Sequence, residues 1–144
     1  MACNKCYQKS SLTAITTRDL AVAADDYIVF DINRVHTGVS ISHAEGSSVV
    51  RLNSAGLYLI AFDGDYTIGT AGSASVQLLN NGVVVPGVQD TVSGTTAVPR
   101  GLHFTTLIDV RPSCCAVDNK AALQVQIDTA GVFSNASITV VKEA

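Results

Sequence analysis

The chain has 144 residues, a formal net charge of −3 and 47% hydrophobic residues, which fits one globular domain around one core. Only 15% of the residues are charged and there is no tryptophan; Val, Thr, Ser, Ala and Gly dominate, which favours β-structure over helical bundles or disorder. The nine Lys and Arg residues are scattered, and no basic run provides the electrostatic attraction on which nucleic-acid binding depends. We therefore expect no nucleic-acid partner.

The first residues, Met1 to Cys6, are polar and contain no apolar stretch after their positive charge, so they do not resemble a secretory signal. No apolar run anywhere approaches the length of a membrane span, and we expect no membrane insertion. The sequence predicts an N-terminal segment over residues 1–20, a candidate anchor, followed by one folded domain over residues 21–144.

From Tyr27 onward, short apolar-rich segments are separated by Gly, Asn, Ser and Pro at the spacing of an antiparallel sandwich or barrel. Residues 57–62 are apolar on both strand faces, so this strand needs cover on both sides. Tyr58, Ile60 and Phe62 have two interpretations. They either fill the centre of the sandwich, or form an exposed stripe that three copies bury together as a trimer interface.

The later segments also read as strands and turns. Asp63, Gly64 and Asp65 predict a break, and Asn80-Asn81-Gly82 predicts a tight hairpin turn, since these residues tolerate positive φ. Residues 83–85 are again apolar on both faces. The remaining strands alternate apolar and polar positions, as half-buried strands do, with inward sets Ala74, Val76 and Leu78; Leu102, Phe104, Ile108 and Val110; Leu123, Val125 and Ile127; Ile138 and Val140.

Several segments occur in the order found in a known family. They are Phe30-Asp31-Ile32-Asn33, the Gly56-x-Tyr58 step, the run from Val76 through Asn80-Asn81-Gly82 to Pro86-Gly87, Cys114-Cys115 with Asp118-Asn119, and the closing run from Asn135 to Lys142. Over residues 21–142 the chain resembles the bacterial and phage relatives of the tumour necrosis factor (TNF) and complement globular-head domains, which include the collagen-like glycoproteins of spore surfaces.

The resemblance implies an all-β, TNF-like ten-strand jelly roll packed around a three-fold axis, at the tip of a fibre or stalk or as a particle decoration. It brings no catalytic residues and no cofactor. The chain departs from the spore-surface members because it has no Gly-x-y stretch, which excludes a collagen stalk within it. This departure favours a compact virion protein.

The four cysteines leave three alternatives open. Cys3, Cys6, Cys114 and Cys115 could supply four thiolates to a tetrahedral zinc ion, but adjacent cysteines rarely ligate one metal without strain. Disulfides, including links between subunits, would require an oxidising compartment. Unpaired thiols are the default, so we predict no metal.

No set of residues indicates catalysis. Nothing pairs His36, His43 or His103 with a nucleophile and an orienting group, and we expect no enzyme. The acidic pairs Asp25-Asp26 and Asp63-Gly64-Asp65 supply fewer oxygens than the six to eight of a typical calcium shell, so we interpret them as solvated turn carboxylates.

The sequence therefore predicts a non-enzymatic structural homotrimer, as a phage capsid or fibre decoration protein or a bacterial or spore surface protein. Its partners would be its own copies and other virion or surface-layer proteins. The alternative is a carbohydrate- or receptor-binding module that acts through exposed jelly-roll loops, at residues 88–100 and 113–119.

Overall fold

A computed structural model describes residues 9–112 and 120–144. These residues form eleven strands. They are β1 (Ser11–Ile15), β2 (Leu20–Val22), β3 (Ile32–Thr37), β4 (Ile41–His43), β5 (Val50–Leu52), β6 (Gly56–Ile68), β7 (Gly72–Asn80), β8 (Val83–Gly94), β9 (Arg100–Val110), β10 (Ala121–Ile127) and β11 (Gly131–Lys142). The all-β prediction is confirmed, with eleven strands in the described residues where ten were expected.

The strands form two sheets that face each other across the core. The six-stranded sheet has the order β3-β1-β11-β6-β9, with the short β2 paired to β11. The five-stranded sheet has the order β4-β5-β10-β7-β8. The register pairings between named strands are antiparallel, so alternate residues of each strand point into the core and out to the surface.

The predicted hairpin turn is confirmed between β7 and β8. Asn80 pairs with Val83, and the two residues between them have positive φ, 53° at Asn81 and 81° at Gly82. These angles define a type I′ turn, whose twist matches that of the strands it joins. The turn fixes the register in which β8 folds back along β7.

The core-facing residues of β6 correct one prediction. Tyr58, Ile60 and Phe62 are 0%, 0% and 1% exposed in the single chain, and they lie between the two sheets. Of the two interpretations of these residues, the buried one is therefore right and the exposed trimer stripe is wrong. The outward positions of the same strand, Leu57 and Leu59, are only half-buried.

The N-terminal boundary also needs correction. β1 lies inside the six-stranded sheet between β3 and β11, and its Leu12 and Ala14 are fully buried. Residues 11–20 are thus part of the sandwich, although the sequence assigned residues 1–20 to a separate segment. Residues 1–8 lie outside the described part of the chain.

The predicted break at Asp63, Gly64 and Asp65 is also wrong, because β6 runs through all three residues. Gly64 is favoured there by packing and not by a turn. A Cβ atom at this position would come 3.1 Å from the ring of Phe133, which lies across the strand. The glycine therefore makes room for an aromatic ring, and its neighbours Asp63 and Asp65 point outward.

Aromatic rings fill one part of the core. Phe62 stacks on Phe104 with ring centroids 5.4 Å apart and meets Phe133 edge-on at 6.3 Å, and Phe133 also contacts Tyr66 at 4.9 Å. Rings in such contact add attraction beyond their apolar area.

We predict that Phe62→Ala lowers the free energy of unfolding by about 3–5 kcal/mol, because it leaves a cavity between Phe104 and Phe133. Chemical denaturation monitored by circular dichroism, at one fixed protein concentration, measures this. Val39, the most exposed of the large apolar residues in the described chain, provides the control, and Val39→Ala should change stability by less than about 0.5 kcal/mol. Equal effects of the two substitutions would contradict the assigned core.

Tyr66 gives a second prediction. Burial raises the pKa of Tyr66 to about 12, with a further contribution from the Asp128 carboxylate, and its hydroxyl donates a 2.6 Å hydrogen bond to the Thr129 carbonyl. The unfolded chain releases this proton near pH 10 and the folded chain near pH 12, so the stabilisation is present below pH 10 and is lost between about pH 10 and 12.

The comparison is with Tyr66→Phe, which lacks this proton. At pH 7 the variant should be less stable by about 1 kcal/mol, since the Thr129 carbonyl loses its donor. The difference between the two proteins should shrink as the pH rises from 10 to 12. A constant difference across that range would show that the Tyr66 pKa is not raised.

Candidate interaction surfaces

The outer face of the six-stranded sheet carries a band of uncharged residues. Its two rows, read across β1, β11, β6 and β9, are Ser11, Val141, Leu59 and Leu107, followed by Thr13, Thr139, Ala61 and Thr105. We call these eight residues the central band. Asp63 pairs with His103 beyond one side of the band, and Asp109 lies beyond the other. The charged side chains thus border the band and do not enter it.

An apolar edge adjoins this band where β8 and β9, the end strands of the two sheets, approach each other. Val83 is 69% exposed, Val84 44% and Leu107 54%. These three residues, which we call the apolar edge, line an open groove of about 310 Å³ that also contacts Pro86. The cover predicted for residues 83–85 is therefore missing on one side in the single chain. Leu107 belongs to both surfaces and makes them continuous.

The outer face of the five-stranded sheet has different chemistry, with side-chain amides and hydroxyls. Gln77 Nε2 donates to Gln126 Oε1 at 2.9 Å, and Gln124 Nε2 donates to Ser48 Oγ at 3.1 Å. Because these amides use only part of their hydrogen-bonding capacity on each other, the face can still bond to water or to a polar ligand.

At one end of that face is a pocket of about 420 Å³ lined by Arg51, Asn53, Asn81, Lys120, Ala121 and Ala122. Sequence reasoning did not find it. The alternation of Arg51 and Asn53 around Leu52 is a signal that both side chains point outward, but a sequence does not show that β10 lies beside β5. The β5–β10 pairing brings Lys120 beside Arg51, and the β7–β10 pairing brings Asn81 to the same place.

The three histidines occupy separate sites. His43 is buried, with Nδ1 2.6 Å from Asn33 Oδ1 and Nε2 2.8 Å from the Ser47 carbonyl oxygen, and His36 Nε2 lies 2.8 Å from the Ile41 carbonyl oxygen. Both contacts of His43 are to hydrogen-bond acceptors, one on β3 and one in the loop after β4. His43 therefore has a structural role, since it links these two segments to β4. His103 is exposed on β9.

The acidic residues named from sequence also serve local structure. Asp26 Oδ2 accepts from the Ala23 N–H at 2.8 Å, and Asp65 Oδ2 accepts from Asn135 Nδ2 at 2.7 Å. Within residues 9–112 and 120–144, no three potential metal-binding side chains come together. All four cysteines, Cys3, Cys6, Cys114 and Cys115, lie outside the described residues, so their three alternatives remain predictions.

The first of the two loops proposed for recognition is shorter than expected. Residues 88–94 belong to β8, and only residues 95–99 connect it to β9. The second predicted loop, residues 113–119, lies outside the described part of the chain. No helix in the described chain has the length and hydrophobicity to cross a membrane.

Comparison with solved structures shows the fold. The globular domain of the zebrafish complement 1qA protein aligns over 94% of this chain and 98% of its own, with a TM-score of 0.70 and 7% identity. Murine APRIL aligns over 93% of this chain and 98% of its own, with a TM-score of 0.66 and 12% identity. The PRD1 vertex protein P5 aligns over 92% and 96%, with a TM-score of 0.61 and 16% identity.

The chain therefore has the jelly-roll fold of TNF and complement globular heads, as predicted. At these identities the likeness shows the fold alone. No known family model matches the sequence, and no curated protein matches it.

Proposed function

We propose that the chain is a non-enzymatic structural protein that works as a homotrimer on a virion, as a capsid or fibre decoration, or on a bacterial or spore surface. The observation that carries the proposal is the central band together with the apolar edge that joins it at Leu107.

The central band suits a contact between proteins because removing water from it costs little free energy. Its eight residues are apolar or carry a hydroxyl, so a partner would bury no charge there. Full burial of an exposed Leu or Val side chain contributes roughly 1.5–3 kcal/mol. Leu107 is exposed, whereas Leu59 and Val141 are already half-buried and would contribute only part of that amount. If they stayed exposed to solvent, these residues and the apolar edge would form an aggregation-prone patch.

The two surfaces favour a head-to-tail contact, because one is a sheet face and the other is a sheet edge. In the proposed assembly the edge of one subunit packs on the face of the next. Such a head-to-tail contact forms a closed ring when the rotation between subunits closes. The resemblance to TNF and complement globular heads implies that the ring has three members.

The setting on a virion or surface is supported by the likeness to the PRD1 vertex protein P5. The absence of a collagen stretch from this sequence fits a compact decoration. Other virion or surface-layer proteins would then be the partners of the trimer.

A second role, recognition of a carbohydrate or receptor, is supported by the outer face of the five-stranded sheet. In the proposed arrangement the central band is covered by a neighbouring copy, and the face with Gln77, Gln124 and Gln126 stays in water. Amide and hydroxyl groups on a rigid sheet are suited to bonding with sugar hydroxyls.

Light scattering coupled to size exclusion tests the assembly. The protein should have a mass of three times 15.0 kDa, and Leu107→Glu should reduce it to a single subunit, since an unpaired carboxylate in the dry contact costs several kcal/mol. The mass should not change with reductant or chelator.

Gln124→Glu is the matched control, because it places the same carboxylate on the outer face of β10 in the other sheet. This variant should remain trimeric. A monomeric wild-type protein, or a Leu107→Glu variant that keeps the wild-type mass, would contradict the proposal.

A further inference from the structure

The pocket at the end of the five-stranded sheet is built by the antiparallel pairing of β5 and β10. Arg51 lies directly opposite Ala122 in the register, and Leu52 pairs with Ala121. Leu52 and Ala121 are buried, so their neighbours share the outer face: Arg51 in β5 with Asn53 just after it, and Ala122 in β10 with Lys120 just before it. The small Ala122 opposite the long Arg51 leaves the open space.

The charge of the pocket is opposite to that of the protein. The chain has a formal net charge of −3, yet among residues 9–112 and 120–144 the pocket is lined by two cations, Arg51 and Lys120, and by no carboxylate. Within the described residues, neither cation lies in a salt bridge, whereas Lys9 and Arg111 do. In the described part of the chain, the two positive charges thus line the same pocket without a carboxylate in a salt bridge to either of them.

Asn81 is fixed in place at the rim. Its backbone N–H donates to the Ala122 carbonyl at 2.8 Å, and its side-chain Oδ1 accepts from the Ala122 N–H at 2.9 Å. The side chain is held by this second bond, and its Nδ2 group has two further hydrogens to donate. A donor that is already positioned loses little freedom when a ligand binds.

Asn53 contributes a hydrogen-bond acceptor, whereas Asn81 contributes a donor. Its Nδ2 donates to Ser42 Oγ at 3.0 Å and to the Val39 carbonyl at 3.4 Å, which leaves Oδ1 as an acceptor. The pocket therefore has two cations and an amide donor for an anionic group, and an acceptor for a hydroxyl. Its volume of about 420 Å³ is within the range of small-ligand sites.

We propose that this pocket binds the carboxylate of an acidic saccharide such as a uronic acid. Arg51 and Lys120 bind the carboxylate, for which the flat guanidinium is well shaped, and Asn81 Nδ2 donates to the same anionic group. Asn53 Oδ1 accepts a hydrogen bond from a ring hydroxyl. The proposal deepens the second role above by naming the ligand class and the site. It does not depend on the trimer, because these residues are on the sheet that the proposed contact leaves uncovered.

The test is a titration of the full chain with glucuronate, glucose and inorganic phosphate, followed by NMR of the backbone and side-chain amides. Glucuronate and glucose differ only in a carboxylate in place of a hydroxymethyl group. We expect glucuronate to bind with a Kd of about 1 mM and to shift the Asn53 and Asn81 side-chain amides. Glucose should not saturate, and phosphate should bind at least about fivefold more weakly than glucuronate, because it makes no hydroxyl contacts.

Two variants change the pocket in different ways. The double substitution Arg51→Gln with Lys120→Gln removes both charges and should weaken glucuronate binding by at least about tenfold. Ala122→Leu keeps the charges, fills the space opposite Arg51 and should weaken binding to a similar extent. The control, Arg34→Gln with Arg100→Gln, removes the same net charge from exposed positions outside the pocket lining and should bind like wild type.

The proposal is overturned if glucuronate does not bind, if glucose binds as well as glucuronate, or if the pocket variants bind like wild type. Phosphate binding as tight as glucuronate binding would make this a general oxyanion site and also overturn the assignment. Solution mass is measured on the same samples. A charge-removed variant that loses binding and keeps three subunits separates the site from the assembly.

Discussion

The structure depends on how β6 divides its apolar residues between two faces. Tyr58, Ile60 and Phe62 point inward and are fully buried, where they hold the two sheets together. The strand alternates, so Leu57, Leu59 and Ala61 must point outward, in the middle of a sheet flanked by β11 and β9. One strand therefore supplies both the core of the sandwich and the centre of an uncharged outer face, which is the surface on which the proposed contact between subunits rests.

The two outer faces of the sandwich have different proposed roles, one in assembly and one in recognition. The six-stranded face, with hydroxyls and aliphatic side chains, is suited to burial against another copy. The five-stranded face carries side-chain amides and the Arg51 pocket. In the proposed trimer it remains exposed to solvent and is suited to polar recognition. A trimer built from the first face would present three copies of the second, so that weak single sites could act together through multivalency.

Much of the fold could be predicted because its signals are local. Alternation at residues 74–78 and 123–127, and the Asn81-Gly82 turn, follow from neighbouring residues alone. The errors came from features that depend on distant partners. Gly64 resembled a turn residue but makes room for the Phe133 ring, and β1 has only five residues and gains its place from β3 and β11. The site was missed for the same reason, because Arg51 and Lys120 are 69 residues apart and meet only through strand pairing.

The contact between subunits can be measured directly from which face of the sandwich is covered in solution. A soluble paramagnetic reagent broadens the methyl signals of exposed side chains, and it can be added to the full chain with labelled Leu and Val methyl groups. We expect Leu59, Leu107 and Val141 to be protected in the assembled protein and Val39, which is 88% exposed, to be strongly broadened. Broadening of Leu107 as strong as that of Val39 would mean that no subunit covers this face.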